Sequence, residues 1–226
     1  MFMFTRVVVI STCLVMAACA GAVPPGRTGT ADDVKDAQSS GIAGRDRPVQ
    51  ATGNSAPQIS VKHDPRLGSV SAKIGIIEFS DYQCAYCRDF HRKQFAQIKK
   101  EYIDTGVVQF IHKDLPLRYH AQAVPAAMAA HCAGAQGRFW DMHDALFDQQ
   151  ARLSLKLYPE LARLLNLDEP KFSACFAGQD HNKGIGQDIG VARRLGLSAT
   201  PSFLIGTIEG DILTVTGQSR GAPGCR

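Results

Sequence analysis

The chain has 226 residues, of which 45% are hydrophobic and 20% are charged, and this composition fits one globular domain with additional terminal sequence. The formal net charge of +4 is small, and no cluster of Lys and Arg alternates with aromatic residues, so nothing favours nucleic-acid binding. Seven cysteines are too few for a small protein held together by disulfides, yet numerous for a cytosolic enzyme.

The first residues follow the pattern of a bacterial export signal. Arg6 precedes an apolar run over residues 7–18, which is shorter than the roughly 20 residues that cross a membrane. The segment MAAC, ending at Cys19, resembles a lipobox, in which the cysteine is acylated and becomes the new N-terminus. We therefore predict a signal peptide over residues 1–19, and we favour lipidation of Cys19 over the alternative of cleavage after Ala22. The protein is expected in the periplasm or cell envelope, where disulfides persist.

Residues 20–58 differ in composition from the rest of the chain. They are rich in Gly, Pro, Ser, Thr and Asp, and they contain neither an aromatic residue nor Leu. Such a segment buries too little apolar surface to offset its ordering entropy, which predicts a disordered linker. If Cys19 is acylated, this linker would hold the folded domain away from the membrane.

The folded domain is expected over residues 59–226 and opens with a β-strand, a helix and a second strand. Residues 73–80 form a nearly continuous apolar run, which is typical of a strand buried on both faces. Apolar residues from Phe95 to Tyr102 then recur at helical spacing, and residues 107–112 have the pattern of the next strand. Two strands joined in this way are expected to be parallel.

Several helical segments follow over residues 117–196, and two strand-like runs around the turn at Glu209–Asp211 end the domain. This order of elements predicts an α/β fold in which a helical subdomain is inserted into a mixed sheet. His131 and His143 in the insertion are expected to be ordinary surface or packed residues.

Cys84 and Cys87 lie in the stretch EFSDYQCAYC, between the first strand and its helix. The unpaired N–H groups and dipole of a helix start lower a thiol's pKa, so we expect Cys84 to be a nucleophile. Cys87, one turn later, can attack the mixed disulfide and release the product. A zinc site needs a second pair of ligands at similar spacing, and Cys132, Cys175 and Cys225 are isolated, so no metal and no other cofactor is expected.

Two other positions are candidates for the same site. Glu78 falls inside the predicted buried strand, where an ionised carboxylate is costly unless it is paired. We favour proton transfer with Cys87 over the alternatives, which are an edge position or an ion pair with a lysine such as Lys73. Pro201 precedes a strand, and with the Cys pair in view we favour a cis Thr200–Pro201 bond in a tight turn over a trans one.

Together these motifs resemble the DsbA-like branch of the thioredoxin superfamily. The segments IIEFSDYQCAYC, HKDLPL, AAHCAGAQGRFWDMHDALF and LGLSATPSFLIG occur in the family's order over residues 70–216. The resemblance implies a thioredoxin fold with a helical insertion, in which Cys84 attacks, Cys87 resolves and Glu78 is the family's buried acid. It also implies that a cis Pro201 faces the Cys pair and presents backbone to an extended substrate peptide.

The resemblance implies protein substrates with thiols or disulfides, and a redox partner protein; we expect a monomer. Ala85, Tyr86, Thr200 and Pro201 are the expected substrate-binding residues. Ala85 and Tyr86 match neither the Pro-His of strong oxidases nor the Gly-Pro of thioredoxins, and this leaves the redox direction open. Thr200 is more similar to the residue found before the proline in isomerase or reductase relatives.

Cys132 and Cys175 lie in two different helical segments of the insertion. Two buried thiols are one interpretation; we favour a disulfide, because the compartment is oxidising and similar family members have one. The residues after Gly217, QSRGAPGCR, are too few and too rich in Gly and Pro for the last helix of the family. We therefore expect one face of the sheet to be partly bare, which promotes association.

The favoured function is that of an exported thiol–disulfide oxidoreductase. One alternative is a metal-handling module, for copper, that uses Cys84, Cys87 and a nearby histidine. The other is a tethered interaction protein whose catalysis has lapsed because the last helix is missing.

Overall fold

The computed structural model describes residues 56–219. The strands in this part of the chain are β1 (Gln58–Ser60), β2 (Arg66–Leu67), β3 (Ile74–Ser80), β4 (Val108–Asp114), β5 (Ser202–Glu209) and β6 (Ile212–Ser219). They form one sheet in the order β1-β6-β5-β3-β4-β2, in which β3 and β4 are parallel and all other neighbours are antiparallel. The predicted signal peptide, Cys19, most of the predicted linker and Cys225 lie outside the described residues.

The helices fall into two groups. The first comes after β3, and its segments follow one another without a break: α1 (Ala85–Phe90), a π-helical segment (His91–Phe95), α2 (Ala96–Ile98) and a second π-helical segment (Lys99–Ile103). The second group lies between β4 and β5 and consists of α3 (Ala123–Gly134), α4 (Phe139–Asp148), a 3₁₀ turn (Gln150–Arg152), α5 (Leu157–Leu164), α6 (Glu169–Gly178) and α7 (Asn182–Arg194). None of the described helices is both long and apolar enough to cross a bilayer.

The predicted β-helix-β unit with parallel strands is confirmed, with β3 and β4 paired from Ile74 opposite Val108 to Ser80 opposite Asp114. β4 ends two residues later than the apolar pattern indicated, because its polar end is paired inside the protein. The Lys113 Nζ atom lies 2.7 Å from a carboxylate oxygen of Asp64 and 2.7 Å from one of Asp188. Buried charges are tolerated when they are paired in this way.

The two π-helical segments change which residues of the first helical group face the sheet. The spacing in the sequence predicted an apolar stripe from Phe95 to Tyr102, but Tyr102 is 48% exposed and Ile103 is buried instead. A π-helical turn adds a residue to the helix and so rotates the following side chains. The prediction for Tyr102 was wrong because it assumed α-helical periodicity throughout.

The two faces of the sheet are covered differently. On one face Ile77, Phe79 and Leu204 pack with Ala192 of α7 in one apolar cluster. On the other face, Phe110 packs with aromatic residues of the first helical group. Opposite residues of a strand pair lie on the same face, so this second face also carries Glu78 of β3 and His112 of β4.

Part of that second face is exposed where β5 and β6 extend beyond the first helical group. Ile74, Ile205 and Ile212 lie on this face and are 41%, 43% and 39% exposed. Leu204, on the opposite face, is fully buried under α7. Within the described residues, this face of the sheet therefore leaves three isoleucines partly exposed to solvent.

Candidate redox site

The loop that carries Cys84 is held by hydrogen bonds from distant parts of the chain. The Asp81 carboxylate accepts a hydrogen bond from the Gln83 backbone N–H at 2.7 Å and one from the Leu117 N–H at 2.8 Å. The Gln150 side-chain amide donates to the carbonyl oxygen of Cys84 at 2.9 Å. These contacts fix the chain where β3 ends and the helix begins, so the cysteine occupies a defined position.

Cys84 is the N-cap residue of α1, with φ −74° and ψ 122°. Its Sγ atom donates a hydrogen bond to the carbonyl oxygen of Thr200 at 3.4 Å. The Thr200–Pro201 peptide bond is cis. The sheet and the loop before β5 thus bring together two segments that are 116 residues apart in the sequence. The Cys84 side chain is almost covered, because the residue is only 1% exposed.

Cys87 lies one helical turn below Cys84 and is fully buried. The pair is in the dithiol form, with a hydrogen bond between the two side chains. Burial raises the pKa of the Cys87 thiol well above its usual range, and the Cys84 contact and the negative charge of Glu78 add to this. Cys87 is therefore a protonated thiol at neutral pH and needs a proton acceptor before it can attack.

Glu78 lies in the central strand β3, between β4 and β5, and is fully buried. Its carboxylate accepts a hydrogen bond from the Ser80 hydroxyl at 2.8 Å and lies 3.0 Å from the Nε2 atom of His91. Burial alone would raise the pKa of Glu78, but attraction and hydrogen bonding by His91, with help from His112 and Ser80, lower it below its usual value. Glu78 is therefore not at the edge of the sheet and is not paired with Lys73, and its ionised carboxylate can accept a proton.

Behind Glu78 lies a buried cluster of rings that the sequence analysis did not assign to the site. His91 and His143 have ring centroids 4.5 Å apart, and Tyr82 lies 5.6 Å from both His112 and His143. The Tyr82 hydroxyl and one ring nitrogen of each of the three histidines have no hydrogen-bond partner among the described residues. His143 is packed as expected, whereas His91 had one sequence signal: it follows Cys87 by four residues on the same helical side.

The remaining predicted residues lie around or beside this site. Ala85 and Tyr86 follow Cys84 at the surface, and Tyr86 is 47% exposed. Thr200 is fully buried, while Pro201 is half-buried. The structure therefore places a covered sulfur between an exposed dipeptide and the backbone of the cis bond.

Cys132 and Cys175 form a disulfide between α3 and α6, with their Cα atoms 5.8 Å apart. Cys132 is fully buried in the core of the insertion, and Cys175 packs against the same core. The disulfide closes a segment of the chain with a sequence separation of 43 residues.

His131 precedes Cys132 on α3, and its Nε2 atom lies 2.6 Å from the carboxylate of Asp114 at the end of β4. Burial alone would lower the pKa of His131, but Asp114 more than offsets this and raises it, with smaller contributions from Asp188 and Asp64. The same contact holds the pKa of Asp114 well below its usual value despite its burial. Both groups are therefore charged at any pH between the titration of Asp114 and that of His131.

We expect His131→Gln to remove a pH-dependent part of the stability. Because the pKa of His131 is higher in the folded protein than in the unfolded chain, protonated His131 stabilises the fold. This stabilisation is complete below the unfolded pKa of about 6.5, and it is lost as the pH rises through the folded pKa. The free energy of unfolding of the wild type minus that of the variant should then fall between pH 6 and pH 9, from on the order of 1–2 kcal/mol. Urea titrations at several pH values measure this difference. Asp188, whose burial raises its pKa to about 6, titrates in both proteins and therefore cancels in the comparison. A difference in the free energy of unfolding that does not change with pH would contradict the prediction.

Comparison with known proteins identifies the family. A family model described as thioredoxin matches residues 60–212. The crystal structure of alpha-DsbA1 from Wolbachia pipientis superposes with a TM-score of 0.61 at 31% identity, covering 71% of this chain and 84% of that one. Because the family model matches more than half of the chain, the protein belongs to the thioredoxin family, and the resemblance to its DsbA-like branch is confirmed.

Two relatives differ in how much of their length is matched. Disulfide bond formation protein D of Bacillus subtilis is 27% identical over 166 residues, which are 66% of this chain and 70% of that protein. The Na(+)/H(+) antiporter NhaA 3 of Salinispora tropica is 31% identical over 139 residues. That match covers 61% of this chain but only 21% of the antiporter, so the chain spans about a fifth of that relative's length.

Proposed function

We propose that the protein is a thiol–disulfide oxidoreductase that is exported and exchanges disulfides with protein substrates through Cys84 and Cys87. The observation that carries this proposal is the position of the Cys84 sulfur, at the start of a helix and 3.4 Å from the carbonyl oxygen of Thr200 at the cis bond. The similarity of the chain to the DsbA1 structure and to a disulfide bond formation protein supports the same class of enzyme.

In the reducing direction, the Cys84 thiolate attacks one sulfur of a substrate disulfide, and the other substrate sulfur leaves as a thiolate that takes up a proton. The Cys87 thiol then gives its proton to the Glu78 carboxylate and attacks the Cys84 sulfur. The second substrate thiol is released, and a Cys84–Cys87 disulfide remains. Reversing these steps oxidises a substrate dithiol. The reduction potential of the pair, measured against glutathione, decides which direction operates.

The substrate is an extended peptide that contacts the exposed Ala85 and Tyr86 on one side of Cys84 and the Thr200–Pro201 backbone on the other. A second protein returns the pair to its starting redox state. The monomeric domain acts in the periplasm or cell envelope, tethered through an acylated Cys19. The reaction needs no metal or organic cofactor, since both electrons are carried by the two sulfurs.

Trapping the intermediate tests this function. In Cys87→Ser the first attack proceeds but the mixed disulfide has no resolving thiol, so covalent complexes with substrate should accumulate. The measurement is a non-reducing gel of the purified variant after incubation with oxidised insulin, with mass spectrometry of the linkage. The control is Cys84→Ser/Cys87→Ser, which should trap nothing. Complexes that persist in the double variant, or that join insulin to another cysteine, would overturn the proposal.

Glu78→Gln tests the proton acceptor. The glutamine keeps the shape but cannot take the Cys87 proton, so the step that resolves the mixed disulfide should slow by about 10²-fold. The measurement is the single-turnover rate of peptide release from Cys84 between pH 6 and pH 9. In the variant the rate should rise with hydroxide concentration, whereas the wild type should depend less on pH.

Ser80→Ala is the matched control for Glu78→Gln. It removes one hydrogen bond to the carboxylate and one that lowers the pKa of the Cys87 thiol, but it keeps the proton acceptor, so its resolving rate should fall far less than that of Glu78→Gln. If Glu78→Gln changes the melting temperature but neither the resolving rate nor its pH profile, then Glu78 has a structural role only.

A further inference from the structure

A second cluster of metal-binding side chains lies in the helical insertion. It consists of the two sulfurs of the Cys132–Cys175 disulfide and a ring nitrogen of His181, and these three atoms all lie within 4.8 Å of one another. The residues come from three places: Cys132 from α3, Cys175 from α6, and His181 from the N-cap position of α7. Neither the reaction at Cys84 and Cys87 nor the disulfide itself explains why His181 lies next to the two sulfurs.

We propose that reduction of the Cys132–Cys175 disulfide creates a site for one zinc ion, held by the two cysteine sulfurs and His181. Tetrahedral zinc binds sulfur at about 2.3 Å and nitrogen at about 2.0–2.1 Å, so its ligand atoms lie roughly 3.5–3.8 Å from one another. The ring nitrogen of His181 and the two sulfurs lie within 4.8 Å of one another, so the nitrogen needs only a small shift to reach this spacing. Once this bond is broken, rotation of the two cysteine side chains brings the sulfurs to the required spacing.

Reduction of the disulfide comes before zinc binding. A dithiol such as dithiothreitol gives two electrons and two protons to the disulfide, forming two thiols in the protein and a cyclic disulfide in the reductant. Zinc then displaces both thiol protons, because only thiolates are ligands. A neutral imidazole binds without losing a proton. Oxidation of the thiolates by a disulfide reagent reverses the process and releases the ion.

His181 is suited to the role of ligand. It lines a cavity of about 660 Å³ together with His131 and Asp188, and this cavity gives an ion a path to the imidazole. A water that enters by the same path would be the fourth ligand.

The charges around the cluster are compatible with the ion. Two thiolates, one neutral imidazole and Zn²⁺ sum to zero, so the bound site adds no net charge to a partly buried position. The neighbouring cation His131 is already paired with Asp114, and Lys113 is paired with Asp64 and Asp188. Zinc therefore replaces one covalent link between α3 and α6 with another link, which also includes the start of α7.

The experiment uses the full chain with its other five cysteines changed to serine, so that no zinc is held by the active-site pair. The protein is reduced with dithiothreitol, freed of reductant without oxygen, and titrated with Zn²⁺ against a competing chelator. We expect one zinc per chain in the reduced protein and none in the oxidised protein. Co²⁺ in place of zinc should give the visible absorption of tetrahedral thiolate coordination.

Two further variants in the same background separate a site from loose binding to thiols. His181→Ala should lower the zinc affinity by at least about tenfold, as ligand loss does. His63→Ala, the matched control, removes an exposed histidine that lines the same cavity and should leave the affinity unchanged. If the reduced protein loses helical circular dichroism, zinc should restore it.

Three results would overturn the proposal. The first is equal zinc affinity in His181→Ala, and the second is zinc binding without reduction. The third is a reduced protein that binds no zinc, whether it keeps its helices or loses them and does not regain them when zinc is added. Because the active-site cysteines are absent from this background, failure here leaves the proposed oxidoreductase function unaffected, and failure of that function leaves this site unaffected.

Discussion

Replacing Cys84 with serine should abolish thiol–disulfide exchange and leave the fold intact. A serine hydroxyl does not form the anion that attacks a disulfide at neutral pH, and Cys87 cannot substitute for it. Cys87 lies one helical turn below Cys84, and its pKa is raised well above the usual range, so it is not ionised at neutral pH. We expect turnover in insulin reduction and in oxidation of a dithiol peptide to fall by several orders of magnitude.

The control for this variant is its stability. Cys84 donates one hydrogen bond to Thr200, and serine is of similar size, so the midpoint of urea unfolding should change little. Activity that survives in Cys84→Ser would mean that another thiol is the nucleophile, and the mechanism above would be wrong.

The second large effect concerns the disulfide between α3 and α6. Changing both Cys132 and Cys175 to alanine opens a loop with a sequence separation of 43 residues. The loss of loop closure in the unfolded chain should lower the free energy of unfolding by about 4 kcal/mol on the chain-entropy model. Urea denaturation of the double variant and of the oxidised wild type measures the difference.

A matched test uses the wild type after reduction, with a chelator present so that no metal links the two sulfurs. Its free energy of unfolding should approach that of the double variant. A difference below about 1 kcal/mol between the double variant and the wild type would show that the helices α3 and α6 are held by packing alone. Because the active-site residues remain in place, the double variant should still react with substrate at low temperature.

The sequence was informative where one local pattern decides the structure. The apolar run of β3, the helix after it and the hairpin around residues 209–211 follow from spacing, and all three are confirmed. The extension of β4 to Asp114 was missed, since its polar residues are stabilised by Asp64, Asp188 and His131, none of which is local. The exposure of Tyr102 was missed because π-helical turns have no clear sequence signal.

The same division holds for the candidate site. The Cys-x-x-Cys spacing is a local signal, whereas the cis Thr200–Pro201 bond and its position facing Cys84 were expected only with the Cys pair and the family resemblance in view; the structure has this cis bond and this contact. The partner of Glu78 was not predicted, because His91 reaches the carboxylate only once the helix packs on the sheet. The extent to which the Cys84 sulfur is covered was also not predicted, because it depends on how the surrounding segments pack.

That covering has a consequence for chemical damage. Hydrogen peroxide converts an accessible thiolate to sulfenic acid and then to irreversible sulfinic and sulfonic acids, and susceptibility follows exposure. A sulfur in a residue that is 1% exposed is screened from such small oxidants in the resting protein. In the proposed oxidoreductase, the Cys84 sulfur would thus stay intact between encounters with substrate, and a docking polypeptide would have to displace the covering groups before electrons are exchanged.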